Sequence, residues 1–162
     1  MPLSKLREFL DQNKIPYVVI SHSTAYTAQG IAALAHIPGK ELAKTVMVKL
    51  DGELAMAVVP ASTLVDLTAL KAVAGVKEAE LASELEFKNR FPDCETGAMP
   101  PFGNLYGLRV FADQSLTRDK EIAFNAGTHR ELVRLGFDDF VRLVNPKIAS
   151  FATGRSRPTA AA

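Results

Sequence analysis

The chain alternates between two hydrophobic rhythms. Leu3, Leu6, Phe9 and Leu10 recur at helical spacing and predict a helix over residues 4–13 with one buried face. Pro16 ends it, and YVVISH (residues 17–22) then reads as a strand of β-branched residues. Thr27 is the expected N-cap of a second helix, AQGIAALAH, stopped near Pro38 and Gly39. KTVMVKLDGELAMAVVP is the clearest hairpin, because Asp51-Gly52 is the strongest two-residue turn signal between strand-like runs. Helix returns over residues 64–74. Ser83 and Glu86 have the spacing of a capping box before another short helix. GLRVFAD and EIAFNAG read as strands. Thr128 and Glu131 repeat the capping-box spacing and predict a helix through HRELVRLG. A last helix over residues 138–144 stops at Asn145-Pro146.

Helices and strands are interspersed, and the hairpin makes part of the sheet antiparallel. The expected fold class is therefore a mixed α/β (α+β) single domain, not a doubly wound parallel sheet. No internal repeat or interior linker divides the chain. The domain is expected over residues 1–152, and TGRSRPTAAA (residues 153–162) is expected to be a flexible basic tail.

One segment obeys neither rhythm. FPDCETGAMPPFGNLYG, residues 91–107, holds three prolines, three glycines and the sole cysteine. Long loops without structure of their own are uncommon in compact domains unless they have a job. Proline fixes φ and glycine permits φ > 0, so this loop reads as a shaped wall.

Composition narrows the partners. The 162 residues carry a net charge of +1, which argues against a general nucleic-acid binder and against specific DNA recognition. The charge is uneven: Glu78, Glu80, Glu84, Glu86, Asp93 and Glu95 form an acidic segment, and only bases follow Asp139. That C-terminal part is either a solvated face or a basic edge that meets phosphates. No apolar run reaches the roughly 18 residues of a membrane span, and the N-terminus, which alternates charge with apolar residues, is not expected to be a signal peptide. A single cysteine excludes an internal disulfide and fits a reducing cytoplasm.

Candidate chemistry is sparse. Lys44 is the charged member of a strand face shared with Val46, Val48 and Leu50, while Thr45, Met47 and Lys49 point the other way. Such a lysine either snorkels to water or faces an anion or a polarised oxygen. His129 is expected in the first turn of a helix, a setting that favours the neutral ring, or is a plain surface histidine. His22 and His36 stand at element ends and look less special. Cys94 lacks a local nucleophile signature. There is no metal-ligand spacing, no P-loop, no GxGxxG and no Gly-x-Ser-x-Gly elbow, so neither a metal nor a cofactor is expected. An enzyme built this way works by positioning a substrate and polarising it with backbone amides.

Three features in order resemble a known family: the lysine opening ELAKTVMVKLDG, the Gly-x-x-x-Pro loop in GAMPP, and FNAGTH. Together they are similar to the YbaK-like aminoacyl-tRNA deacylases, which include the editing domain inserted in bacterial prolyl-tRNA synthetase. The likeness covers about residues 3–151. It implies a curled mixed sheet surrounded by helices, and hydrolysis of the ester joining a wrong amino acid to the terminal ribose of a tRNA. The implied partner is the aminoacyl-tRNA acceptor end, with a synthetase partner left open. The family lysine maps onto Lys44, as an anchor near the terminal adenosine, with Thr45 beside it in the substrate site. The Gly-x-x-x-Pro loop maps onto Gly97, Ala98, Met99, Pro100 and Pro101, whose amides would hold the substrate carbonyl and set the pocket size. Gly127, Thr128 and His129 map onto a second substrate-binding turn. The family implies attack by water rather than by a protein nucleophile. His129 tilts the expected substrate toward alanine on proline tRNA. Cysteine, serine or threonine deacylation, a small-molecule hydrolase using the same pocket, and a non-catalytic tRNA-binding module of the same fold are the alternatives.

Overall fold

The computed structural model describes residues 4–21 and 41–154. The second expected helix, and with it His22 and His36, lies outside the described residues.

Helix α1 (Ser4–Gln12) buries Leu6 and Leu10 completely, as its spacing predicts. Strand β1 (Tyr17–Ser21) follows Pro16. Strands β2 (Ala43–Leu50) and β3 (Glu53–Pro60) form the expected hairpin, with Leu50 opposite Glu53. Asp51 and Gly52 both have positive φ, at 52° and 86°, the backbone that a two-residue type I′ turn demands. Strand β4 (Leu64–Val65) precedes helix α2 (Leu67–Ala74). That helix starts three residues later than the sequence predicts. The Asp66 carboxylate caps it, accepting from Ala69 N–H at 3.1 Å, and Leu64–Val65 is drawn into strand pairing instead. Strand β5 (Ala79–Leu81) and the one-turn helix α3 (Glu84–Phe87) come next. The Ser83 amide donates to the Glu86 carboxylate at 2.8 Å, so this capping box forms as expected.

Beyond the irregular segment lie β6 (Arg109–Asp113), β7 (Glu121–Asn125), β8 (Glu131–Gly136), α4 (Phe137–Val144), β9 (Lys147–Ala149) and β10 (Ala152–Thr153). The helix expected through HRELVRLG is a strand. Glu131–Gly136 is the middle strand of a sheet ordered β1-β8-β7, antiparallel to both neighbours. Leu132, Val133 and Leu135 are buried on alternate faces, which suits a central strand better than a one-sided helix. The Thr128 hydroxyl does approach Glu131, at 3.5 Å, but inside the β7–β8 turn. Serine and threonine serve turns as readily as caps, and here the pairing of two flanking strands decides. His129 is consequently a turn residue, not the opening of a helix.

A five-stranded mixed sheet runs β5-β2-β3-β6-β9, with β3, β6 and β9 parallel. A parallel bridge between Leu42 and Ala123, with Ala123 N–H donating to Glu41 O at 3.0 Å, links the start of β2 to β7. The two sheets thereby share a curled layer. Met47, Met56 and Val58 face one core with Leu6, Leu10, Phe102, Phe124 and Phe140. Val48, Ala57 and Val59 face a second, smaller core with Leu70, Phe111 and Phe151. Thr153, where the sequence predicts the start of the tail, still pairs with Leu64 in β10. Among the described residues no helix is long and apolar enough to cross a membrane.

A two-loop candidate active site

The irregular segment is anchored, as its proline and glycine content suggests. Phe91 packs edge-on against Tyr106 at 4.6 Å, and Phe102 packs against Phe9 at 6.2 Å and Phe140 at 5.7 Å. Ala98, Met99, Pro100 and Pro101 are buried between these anchors, while Gly97 is exposed at the loop's crest.

This loop is bonded to the β7–β8 turn at several points. Glu95 N–H donates to Gly127 O at 2.8 Å, and Gly127 N–H donates to Ala98 O at 2.8 Å. The Glu95 carboxylate accepts from the amide of His129 at 2.7 Å. The His129 ring closes the set: its Nε2 lies 2.8 Å from Thr96 O, and because a carbonyl only accepts, that nitrogen carries the proton. Gly97 has φ +85° and Gly127 φ +97°, both in the region that glycine tolerates best. A Cβ on Gly97 would stand 3.6 Å from His129 Cε1, so the imidazole lies alongside that glycine.

The clamp fixes donors as well as shape. Among the described residues, the amides of Gly97 and Met99 donate to no acceptor. Pro100 and Pro101 have no amide hydrogen to offer. Backbone amides without partners, in a loop held from behind, are what a developing oxyanion or a bound carbonyl requires.

Lys44 stands apart from this clamp. It pairs with Val59 across the hairpin and shares the face of Val46 and Val48, opposite to the one that Met47 presents to the first core. Burial pushes its ammonium below the ordinary lysine value, and no hydrogen bond or ion pair among the described residues compensates. A half-buried lysine in that state is poised for an anion. Thr45 points to the other face, and its Oγ1 is buried without a hydrogen-bond partner among the described residues. The structure thus brings Gly97–Pro101 and Gly127–His129 together. It joins Lys44 and Thr45 to them through the sheet rather than by direct bonds.

Two residues escape the sequence reading. Glu95 counts there only as one of an acidic run, yet it ties the two loops with both its backbone and its side chain. Asn125 ends β7 and leaves its Oδ1 buried without a partner among the described residues. Neither carries a periodic signal; only the approach of two distant loops exposes them. Cys94 sits in the same segment, with its Sγ 3.7 Å from Tyr106 Oη and its thiol pushed up by burial. That is the opposite of an activated nucleophile.

Comparison with known proteins identifies the family. The model of the aminoacyl-tRNA editing domain matches residues 22–143. The chain is 29% identical over 152 residues to the multifunctional Ser/Thr-tRNA deacylase ProXp-y of Escherichia coli (strain K12), covering 91% of this chain and 90% of that protein. Among solved structures it is similar to hypothetical protein APE2540, with a TM-score of 0.83 and 19% identity over 93% of this chain and all of that one. It is also similar to a proposed trans-editing enzyme for prolyl tRNA synthetase, with a TM-score of 0.79 and 19% identity over 93% and 96% of the two chains. At those identities the structures establish the fold, a mixed α/β domain. The match of the family model over most of the chain establishes more: the protein belongs to the aminoacyl-tRNA editing domain family and is an aminoacyl-tRNA deacylase.

Proposed function

We propose that this deacylase acts in trans to clear a small amino acid from mischarged tRNA, with serine and threonine ahead of alanine. The carrying observation is the clamped pair of loops whose Gly97 and Met99 amides have no acceptor among the described residues. In this reading the aminoacyl ester lies over the crest of the loop, and those amides receive the carbonyl oxygen as it becomes an oxyanion. Water adds to the carbonyl carbon. The tetrahedral intermediate collapses, the ester C–O bond breaks, and the terminal ribose oxygen leaves with a proton. The amino acid departs as its carboxylate, and the second proton of the water passes to solvent. Lys44 meets a phosphate of the acceptor end, which relieves its uncompensated burial. His129 and Pro101 hold the wall that limits side-chain size.

The order of substrates rests on one point. The curated relative is named for Ser- and Thr-tRNA, which moves these ahead of the alanine expected from the His129 resemblance. Discrimination needs a second site, because a synthetase pocket separates side chains differing by one methylene by only about 1–3 kcal/mol. A rigid wall that excludes the larger, correct amino acid supplies that second test.

The experiment is single-turnover deacylation of a panel of tRNAs charged with serine, threonine, alanine or cysteine, using the purified full chain. Fast release of serine or threonine supports the proposed order. Release of alanine alone restores the alanine reading. Hydrolysis of none above the buffer rate overturns the proposal and favours a tRNA-binding module.

A further inference from the structure

Asn125 belongs to neither of the two clamped loops, yet it carries an unusual feature. Its side-chain Oδ1 is buried and accepts no hydrogen bond among the described residues. Buried acceptors are nearly always satisfied, so an orphan of this kind demands an explanation.

The register places the residue. Leu42, the residue before β2, forms an isolated parallel bridge with Ala123 of β7. Two residues further along each strand come Lys44 and Asn125, on the same face as the bridge pair. The core confirms the direction. Phe124 and Ala126 point into the first core, as Ala43 and Met47 do, so Lys44 and Asn125 both turn away from it. Asn125 also stands immediately before Ala126 and Gly127, the turn bonded to Glu95 and Ala98. It therefore lies between the Lys44 strand end and the two-loop clamp.

Charge narrows what the orphan oxygen accepts. Lys44, on the same face beyond the bridge, is half-buried and lacks a partner among the described residues. The phosphate proposed above balances Lys44 alone, so a second cation on this face, such as the α-ammonium of the amino acid, would be left uncompensated in a poorly solvated site. A neutral donor carries no such penalty. We propose that Asn125 is a substrate-binding residue whose Oδ1 accepts a hydrogen bond from a substrate hydroxyl. Two hydroxyls have this chemistry: that of a seryl or threonyl side chain, and that of the terminal ribose. The inference rests on the deacylase reading above.

The test compares Asn125→Ala and Asn125→Val with the wild-type chain on one tRNA charged with serine or with alanine. Both variants delete the acceptor, and valine also preserves strand preference. Loss of one neutral hydrogen bond is expected to lower kcat/KM about tenfold. A fall for the seryl substrate alone assigns the bond to the side-chain hydroxyl. An equal fall for both substrates, absent when the tRNA ends in a 2′-deoxy adenosine, assigns it to the ribose. Because the oxygen is unpartnered in the protein, melting temperatures should not fall. Variants as active as wild type on both substrates would overturn the role of Asn125 while leaving the deacylase intact. Parallel loss of activity and melting temperature in both variants would also overturn it, in favour of a structural role. A wild-type chain inert on every charged tRNA would remove the deacylase reading and this inference with it.

Discussion

The carboxylate of Glu95 accepts the amide N–H of His129 at 2.7 Å, while the Glu95 amide donates to Gly127 O at 2.8 Å. One exposed residue thus fastens the Gly97–Pro101 loop to the β7–β8 turn through both its side chain and its backbone.

The Glu95 tie predicts a mutant that is folded but slow. Hydrogen bonds to charged groups are worth about 1.5–3 kcal/mol, and exposure puts this one at the lower end. Glu95→Ala should lower the melting temperature slightly and slow deacylation at least tenfold, because the loop amides lose their fixed aim. Glu95→Gln keeps an accepting oxygen and should recover most of the rate. Equal activity of all three proteins in single-turnover assays would show that the clamp does not position the site.

Lys44 leads to a prediction with an unusual sign. Its ammonium is held below the ordinary value of 10.5 by burial, without a described compensating partner. The unfolded chain therefore binds that proton more tightly than the folded one. Stability contributed by this group rises with pH between the lowered folded value and 10.5, and at neutral pH the charge is a net cost. Lys44→Met should abolish deacylation yet match or exceed the wild-type melting temperature at pH 7. The difference should shrink as the pH approaches 10.5. A methionine variant that melts well below wild type at pH 7 would mean that the ammonium has a stabilising role in the fold.

Asp113 behaves in the opposite way. Burial pushes its carboxyl up, but hydrogen bonds from Ser115 and from the amides of Phe151 and Ala152 outweigh this, and the net shift is downward. Both of those amides donate to Oδ1 at 2.8 Å, fixing the chain between β9 and β10. A depressed folded value means stability that is present above the ordinary 3.8 and lost as pH falls through the lower folded value. Asp113→Ala strands those amides at about 1–3 kcal/mol for each buried unsatisfied group. It should melt markedly earlier at pH 7 while the folded fraction keeps its specific activity. The gap from wild type should narrow in acid melts below about pH 4.

Cys94 should be dispensable for chemistry. Its thiol is raised by burial and only partly opposed by the Tyr106 hydroxyl at 3.7 Å, so little thiolate exists at neutral pH. Cys94→Ser should deacylate within about twofold of wild type. An inactive yet folded serine variant would restore a covalent role to this residue.

The hairpin, α1, the Ser83 capping box and the wall-like loop are legible in the sequence because each is dictated locally. Asp51-Gly52 must turn, Leu6 and Leu10 must face one way, and Pro100-Pro101 must stiffen the loop they occupy. The β8 strand is not legible. Thr128 and Glu131 are spaced as a cap, and only the flanking β1 and β7, one of them more than a hundred residues away, make a strand of Glu131–Gly136. The same physics governs the site. Gly97 and His129 stand out by residue type. Glu95 and Asn125 do not, because their roles exist only once two loops and two strand ends have met.

Gly97 carries the sharpest test of the loop. Its φ of +85° is strained for any residue with a Cβ, and the added atom would lie 3.6 Å from His129 Cε1, an ordinary contact. Space is therefore available, and the cost of Gly97→Ala is conformational, roughly 1–2 kcal/mol. The loop can relieve that strain by rotating the Gly97 peptide, and doing so turns its amide away from the substrate carbonyl. Loss of one oxyanion donor typically costs about 10²–10³ in rate. The variant should thus melt a few degrees lower, yet lose far more turnover than its folded fraction explains. Substrate binding, measured with a non-hydrolysable aminoacyl analogue, should change little, because the amide matters most when the oxyanion forms. Thermal melts and single-turnover assays on the same preparation separate the two effects. A Gly97→Ala protein that melts early but hydrolyses seryl- or alanyl-tRNA at the wild-type rate would show that this glycine only makes a turn.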